Sequence, residues 1–156
     1  MSDPLVLDSA CLIALERIGQ LDLLPRLFEP LFCPPEVARE FGVPLPWLQV
    51  QEPAEAALVA TLKILVDDGE AEAIALAAER RVRIVLDDGR ARAVGRRLGL
   101  EMIGTVGLVV QAKRRGLIPA VRPLLDDLQK AGFHMSDGLL EEALRLAGEE
   151  PSTAGR

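Results

Sequence analysis

The run Val82-Arg83-Ile84-Val85-Leu86 ends in Asp87-Asp88, and near the other end of the chain Leu5-Val6-Leu7 ends in Asp8. Short unbroken apolar runs of this kind read as strands buried on both faces, the sort that assemble into parallel sheets. A buried strand that stops on a carboxylate puts a charge at the sheet edge, where open α/β folds build their sites. Two strands doing the same suggest a shared cation rather than scattered surface charge.

Working outward, a first strand is expected over 4–8 and a helix from Cys11 to Arg17, with Leu12 and Leu15 inward and Ser9 as its cap. A short helical segment (21–28) precedes a brief strand, Leu31-Phe32-Cys33. Pro35 suits the first turn of a helix that carries Glu36, Val37, Glu40 and Phe41. Residues 48–52 read as a short edge strand and 54–66 as a helix. After Asp67-Asp68-Gly69 a new helix begins at Glu70, with Ala73, Ile74 and Ala77 on one face. The strand at 82–86 leads to a helix from Asp88 to Leu98, with Ala91, Val94 and Leu98 as its inner stripe. A strand at 101–104 follows, then a helix capped by Thr105 and closed at Gly116, and two further helices over 119–130 and 136–146. Strands alternating with helices imply an α/β architecture, a parallel sheet covered by helices on both faces. Residues 1–150 read as one domain and 151–156 as a frayed polar tail.

Composition narrows the chemistry. At 156 residues, 49% hydrophobic and 27% charged, the chain is globular and long enough to bury a core. No apolar stretch is long enough to span a bilayer, and Met1-Ser2-Asp3-Pro4 has neither the basic start nor the apolar core of a signal peptide, so a cytoplasmic location with no membrane association is expected. Cys11 and Cys33 read as two buried thiols, too few for a disulfide framework. His134, the one histidine, reads as a packing or loop residue and excludes His-rich zinc chemistry. The single Trp47 covers the core, and few aromatics remain for base-stacking platforms. A net charge of −6 argues against sequence-independent adhesion to nucleic acid but leaves local engagement of it as a substrate open.

The candidate acids are Asp8, Glu40, Glu70 and the Asp87-Asp88 pair. Glu70 falls in a first helical turn, where the helix dipole favours negative charge. Carboxylates a few ångströms apart repel, and a hard divalent ion relieves that repulsion. Oxygen-only ligands favour Mg²⁺ or Mn²⁺ over zinc, and such a site favours hydrolysis of a phosphoester. Taken singly, each acid has a structural reading as well: Asp88 as a helix cap, Glu40 as a solvated face, Glu72 as surface charge.

The order of motifs resembles a known family. Val6-Leu7-Asp8-Ser9-Ala10-Cys11-Leu12-Ile13-Ala14-Leu15 looks like the opening of PIN-domain nucleases, and Pro34-Pro35-Glu36-Val37-Ala38-Arg39-Glu40 is similar to their second acidic motif. The stretch from Gly69 to Ala77, then Leu86-Asp87-Asp88-Gly89-Arg90-Ala91-Arg92, resembles the VapC-like branch described as DUF3368, as do Gly104-Thr105-Val106-Gly107, Ala112-Lys113-Arg114-Arg115-Gly116 and Gly132-Phe133-His134-Met135-Ser136. The likeness runs to about residue 150. It implies a PIN-like three-layer fold, Mg²⁺ or Mn²⁺, and cleavage of single-stranded RNA, with the chain as the toxin of a toxin–antitoxin pair. Asp8, Glu40 and Glu70 match the first three acids. The fourth is Asp87 or Asp88, since many relatives have Thr-x-Asp where this chain has adjacent acids. Asp8 and one of that pair would hold the metal directly, and Glu40 and Glu70 directly or through water. Ser9 would bind a phosphate or a carboxylate, with helix capping as its other role. Arg90 and Arg92 would meet the RNA backbone or pair with surface acids. An antitoxin-like protein and a homodimer or higher homo-oligomer are the expected partners, with the C-terminal helices as seam or as core cover.

Rival enzymes fit less well. Asp8-Ser9-Ala10 lacks the Asp-x-Asp of haloacid-dehalogenase-type phosphotransferases, and Ile103-Gly104-Thr105 lacks the lysine of a response-regulator receiver. The stronger alternative is a non-catalytic PIN-like module with a degraded site that binds nucleic acid or protein.

Overall fold

A computed structural model describes residues 2–149, and the tail expected over 151–156 lies outside the described residues. The strands β1 (Asp3–Val6), β2 (Phe28–Cys33), β3 (Leu48–Val50), β4 (Arg83–Val85) and β5 (Met102–Ile103) form one parallel sheet. Their spatial order is β3-β2-β1-β4-β5. The chain thus winds outward from β1 to β3 on one side, then returns to β1's other edge and winds outward through β4 and β5. Connections leaving β1 and β4 therefore diverge and open a crevice at their carboxyl ends, the switch point of an open α/β sheet.

Nine helices accompany the sheet among the described residues: α1 (Ser9–Arg17), α2 (Leu23–Leu27), α3 (Pro35–Phe41), α4 (Ala56–Leu62), α5 (Asp68–Arg80), α6 (Gly89–Arg97), α7 (Thr105–Arg114), α8 (Arg122–Lys130) and α9 (Asp137–Leu146). No described helix is long and apolar enough to cross a membrane. Leu5, Val6, Leu7, Leu31, Ile84, Val85 and Leu86 fill the sheet's part of the core, as strands covered on both faces require. Helix α5 packs against β1, β4, α3 and α4, so it buries Ala71, Ala73, Ile74, Ala75, Leu76 and Ala77 rather than a single stripe. Its alanines let those neighbours approach closely.

Several local expectations need correction. Asp8, not Ser9, caps α1: its Oδ1 accepts from the Cys11 backbone N–H at 3.1 Å, and Ser9 is the first helical residue. Gly104, not Thr105, holds the cap position of α7, and Thr105 opens the helix. Helix α6 buries Ala91 and Gly95; Leu98 is 43% exposed, because α6 ends one residue earlier and the chain turns there. Gly95 fits where it does because a Cβ there would lie 2.6 Å from Met102 Sδ. The helix expected over 54–66 is shorter and stops at Leu62, leaving Ile64 and Leu65 in an exposed turn. His134 is exposed, while Met135 beside it supplies the buried contact. Cys11 and Cys33 are buried free thiols, and Trp47 packs on the core's edge.

Two substitutions separate these assignments. Ile74→Ala removes a fully buried side chain and should cost about 2–5 kcal/mol in urea denaturation. Leu98→Ser should stay within about 0.5 kcal/mol of the parent. A large loss for Leu98→Ser would restore the amphipathic stripe.

Candidate metal centre

Asp8 and Thr105 are the two polar or charged residues that the described fold buries, and both lie at the switch point. Asp8 stands two residues beyond β1. The β1–β4 register pairs Leu5 with Arg83 and Val6 with Ile84, so its continuation sets Asp8 level with Leu86. Asp87 is the next residue. Thr105 follows β5, the strand on the far side of β4, and turns both its donors to Asp87: the backbone N–H to Oδ1 at 2.8 Å and the hydroxyl to Oδ2 at 2.6 Å. Side chains thus tie the carboxyl ends of β4 and β5 together, and the charge of Asp87 reaches Asp8 on β1's side.

The electrostatics follow from that crowding. Burial pushes the Asp8 carboxyl well above its ordinary range; the Asp87 and Glu70 carboxylates push it further, while the Cys11 N–H pulls it back. Burial also raises Asp87, against the pull of the Thr105 hydrogen bonds and the nearby Arg92 guanidinium. Glu70 is pushed up to about 7, first by burial and then by the charges of Asp67 and Asp88, while its backbone hydrogen bond within the cap pulls back. Its setting is a capping box at the start of α5: Asp67 Oδ1 accepts from the Glu70 N–H at 2.8 Å, and Glu70 Oε1 accepts from the Asp67 N–H at 3.2 Å.

Glu40 arrives from α3. Partial burial and the charge of Asp67 raise its pKa, and the Ser9 hydroxyl donates to its Oε2 at 3.3 Å. Its carboxylate rests on Gly69, where a Cβ would collide with Oε1; glycine at the start of α5 is what lets Glu40 come in. Asp88 is exposed and caps α6, accepting from the Ala91 N–H at 2.9 Å, and also faces the cleft beside Glu70. Arg92 turns inward, donating to the Leu86 carbonyl at 2.6 Å. Arg90 is exposed, forms no hydrogen bond or ion pair among the described residues, and lines the same open cleft of about 620 Å³ as Asp67, Glu70 and Asp88. Glu72 lies outside this set: it accepts from the Glu36 N–H at 3.2 Å and so caps α3.

The donor set is carboxylate oxygen throughout, which suits a hard divalent cation. Its arrangement is looser than a finished cage: no group of three or more acidic, histidine or cysteine side chains among the described residues is drawn together at ligating distance. The reason is visible in the hydrogen bonds. Asp8, Asp87 and Glu70 each have oxygens tied to backbone N–H groups, and Asp87 has both oxygens on Thr105. The acids remain close enough to raise one another's proton affinity, so the residues fit such an ion chemically and would have to close on it.

Two participants escaped the sequence reading. Thr105 looked like a cap, yet its hydroxyl serves a strand-end acid 18 residues earlier. Asp67 looked like part of a helix breaker, yet it fixes Glu70 and charges the approach to Glu40. The spacing Asp67-x-x-Glu70 is a capping-box signature, so Asp67 was open to recognition; Thr105 had no local signal.

A family model described as DUF3368: PIN domain matches residues 4–149, and the chain belongs to that family. No curated protein matches it. PIN domains are generally nucleases, and PIN nucleases usually use divalent metals.

Because Glu70 binds its proton more tightly in the folded chain, the native state holds more protons than the unfolded one between the ordinary value of 4.5 and about 7. Metal-free stability should therefore fall as pH rises through that window. Glu70→Gln keeps the capping-box acceptor and should flatten the fall in a Tm–pH series; parallel curves would refute the shift. Thr105→Val deprives a half-buried carboxylate oxygen of its donor and should cost about 1–3 kcal/mol in urea. Thr105→Ser should recover most of it, and equal losses in the two variants would assign the effect to packing.

Proposed function

We propose that this PIN-domain chain is a Mg²⁺- or Mn²⁺-dependent endoribonuclease that hydrolyses phosphodiester bonds in single-stranded RNA, and that it acts in the cytoplasm as the toxin of a toxin–antitoxin pair. The observation that carries the reading is the burial of Asp8 at the switch point beside Asp87 and Glu70. A buried carboxylate repelled by two others is costly to a fold unless a cation is to neutralise it. Such placement of perturbed acids in a crevice marks function more often than packing.

Asp8 and Asp87 would hold the ion directly, with Glu40 and Glu70 binding it directly or through water. Bound there, Mg²⁺ or Mn²⁺ would supply Lewis-acid stabilisation of the charge that develops on the phosphodiester. The chain's own groups do the rest. The Thr105 N–H and hydroxyl orient Asp87, and Arg92 braces the Leu86 carbonyl that precedes it. Ser9 orients Glu40. Glu70, fixed in the capping box of α5, would orient the attacking water at a carboxylate oxygen. Asp88 holds the start of α6, which aims the unpaired Arg90 at a phosphate in the cleft. Self-association would use the apolar groove of about 320 Å³ between α7 and α9, where Leu139 and Leu146 are exposed. An antitoxin-like protein is the expected inhibitor.

A second reading, a PIN-like binding module without catalysis, is favoured by one observation: Thr105 engages both oxygens of Asp87. One assay separates the two. The protein should cleave single-stranded RNA with Mn²⁺ and stop on addition of EDTA. Asp8→Asn, which keeps the cap acceptor for Cys11, should lower the rate at least 100-fold while circular dichroism and metal-free Tm stay near those of the parent. Cleavage that survives both EDTA and Asp8→Asn would reject the assignment, and binding without cleavage would select the module.

A further inference from the structure

Ile64 is 82% exposed, the most exposed large apolar side chain among the described residues, and Leu65 beside it is 47% exposed. Both line the open cleft that also holds Glu70, Asp88 and Arg90. The turn that carries them is firmly held: the Ile64 N–H donates to the Thr61 carbonyl at 3.1 Å, and the N–H groups of Leu65 and Val66 to the Leu62 carbonyl at 2.9 and 3.0 Å. Asp67 then starts the α5 cap at once. The exposed pair is therefore a fixed shoulder between two anchored helix ends, and water-exposed apolar surface on a fixed shoulder calls for an occupant.

We infer that the Ile64–Leu65 shoulder receives the face of an unpaired nucleobase that flanks the phosphate held in the cleft. This rests on the nucleic-acid reading proposed above. With RNA in the cleft, Arg90, which forms no hydrogen bond or ion pair among the described residues, suits a single phosphate. An apolar surface a few residues away suits a flat, weakly hydrated ring, and every base has such a face. A base inside a duplex is stacked on its neighbours and cannot turn onto the shoulder, so the contact also explains a preference for single strands.

The test uses short single-stranded RNA oligonucleotides, each with one abasic position stepped along the sequence, and the double variant Ile64→Ser/Leu65→Ser. Both positions are exposed, so the fold should survive, and circular dichroism checks it. Fluorescence anisotropy measures binding whether or not cleavage occurs. Parent binding should weaken about five- to twentyfold in the variant, and one abasic position should weaken the parent by a similar factor but leave the variant nearly unchanged. Where cleavage is seen, KM should rise by that factor with kcat little altered. Equal affinity in parent and variant, or equal abasic penalties in both, would overturn the shoulder. So would a change of oligomeric state in sedimentation with RNA binding intact, which would make the pair a protein contact. Base-dependent binding without cleavage would sink the nuclease and leave the shoulder standing; cleavage with unchanged binding would do the reverse.

Discussion

Burial of the Asp8 carboxylate beside the charges of Asp87 and Glu70 is the constraint on which the site depends. Elsewhere the described core is apolar, and among the described residues this edge alone buries a charged group. The sheet order makes it so. Because β1 and β4 are neighbours whose connections diverge, no crossover covers their carboxyl ends, and the first residues beyond them share one crevice. Placing an acid after each strand converts a topological gap into an electrostatic one.

What restrains the acids is backbone. The Cys11 N–H, the Thr105 N–H and the capping box of α5 supply partial positive charge from three helix starts. Each such contact offsets some of the cost of a buried carboxylate without cancelling it. Helix N-termini here order the acids and lower their proton affinity, while burial keeps it raised. A cation entering the crevice would compete with protons and with backbone donors for the same oxygens, so its binding is coupled to pH. The two glycines that admit side chains, Gly69 under Glu40 and Gly104 beside Asp87, show how little space separates the helix starts from the acids; a Cβ at Gly104 would lie 3.1 Å from Asp87 Oδ1.

Much of the fold was legible because apolar runs and helix punctuation are local signals. The strands at β1 and β4, the Pro35 start of α3 and the Gly116 end of α7 follow from residue type alone. The failures were cases where tertiary packing outranked local pattern. Leu98 continues a helical period yet faces outward because α6 has already ended, and Ile64 sits in a helical composition beyond the last helical residue of α4. At the site, the strand-end acids announced themselves, and so did Glu70 in its first turn. Strand order did not, since nothing near Asp8 says that β4 is the neighbour of β1 in the sheet. The Asp88 cap of α6 was also legible, while the hold of Thr105 on Asp87 was closed to sequence, since 18 residues separate the two.

The central claim is that acids from separate strands and helices act as one cation-binding unit whose oxygens are partly protonated without it. Electron paramagnetic resonance of Mn²⁺, titrated into the protein while released protons are followed by indicator dye, tests it directly. The account expects Mn²⁺ uptake that strengthens as pH rises through the Glu70 titration at about 7, with proton release on binding, both lost in Asp8→Asn. Absence of uptake at millimolar Mn²⁺, or uptake indifferent to Asp8, would contradict it.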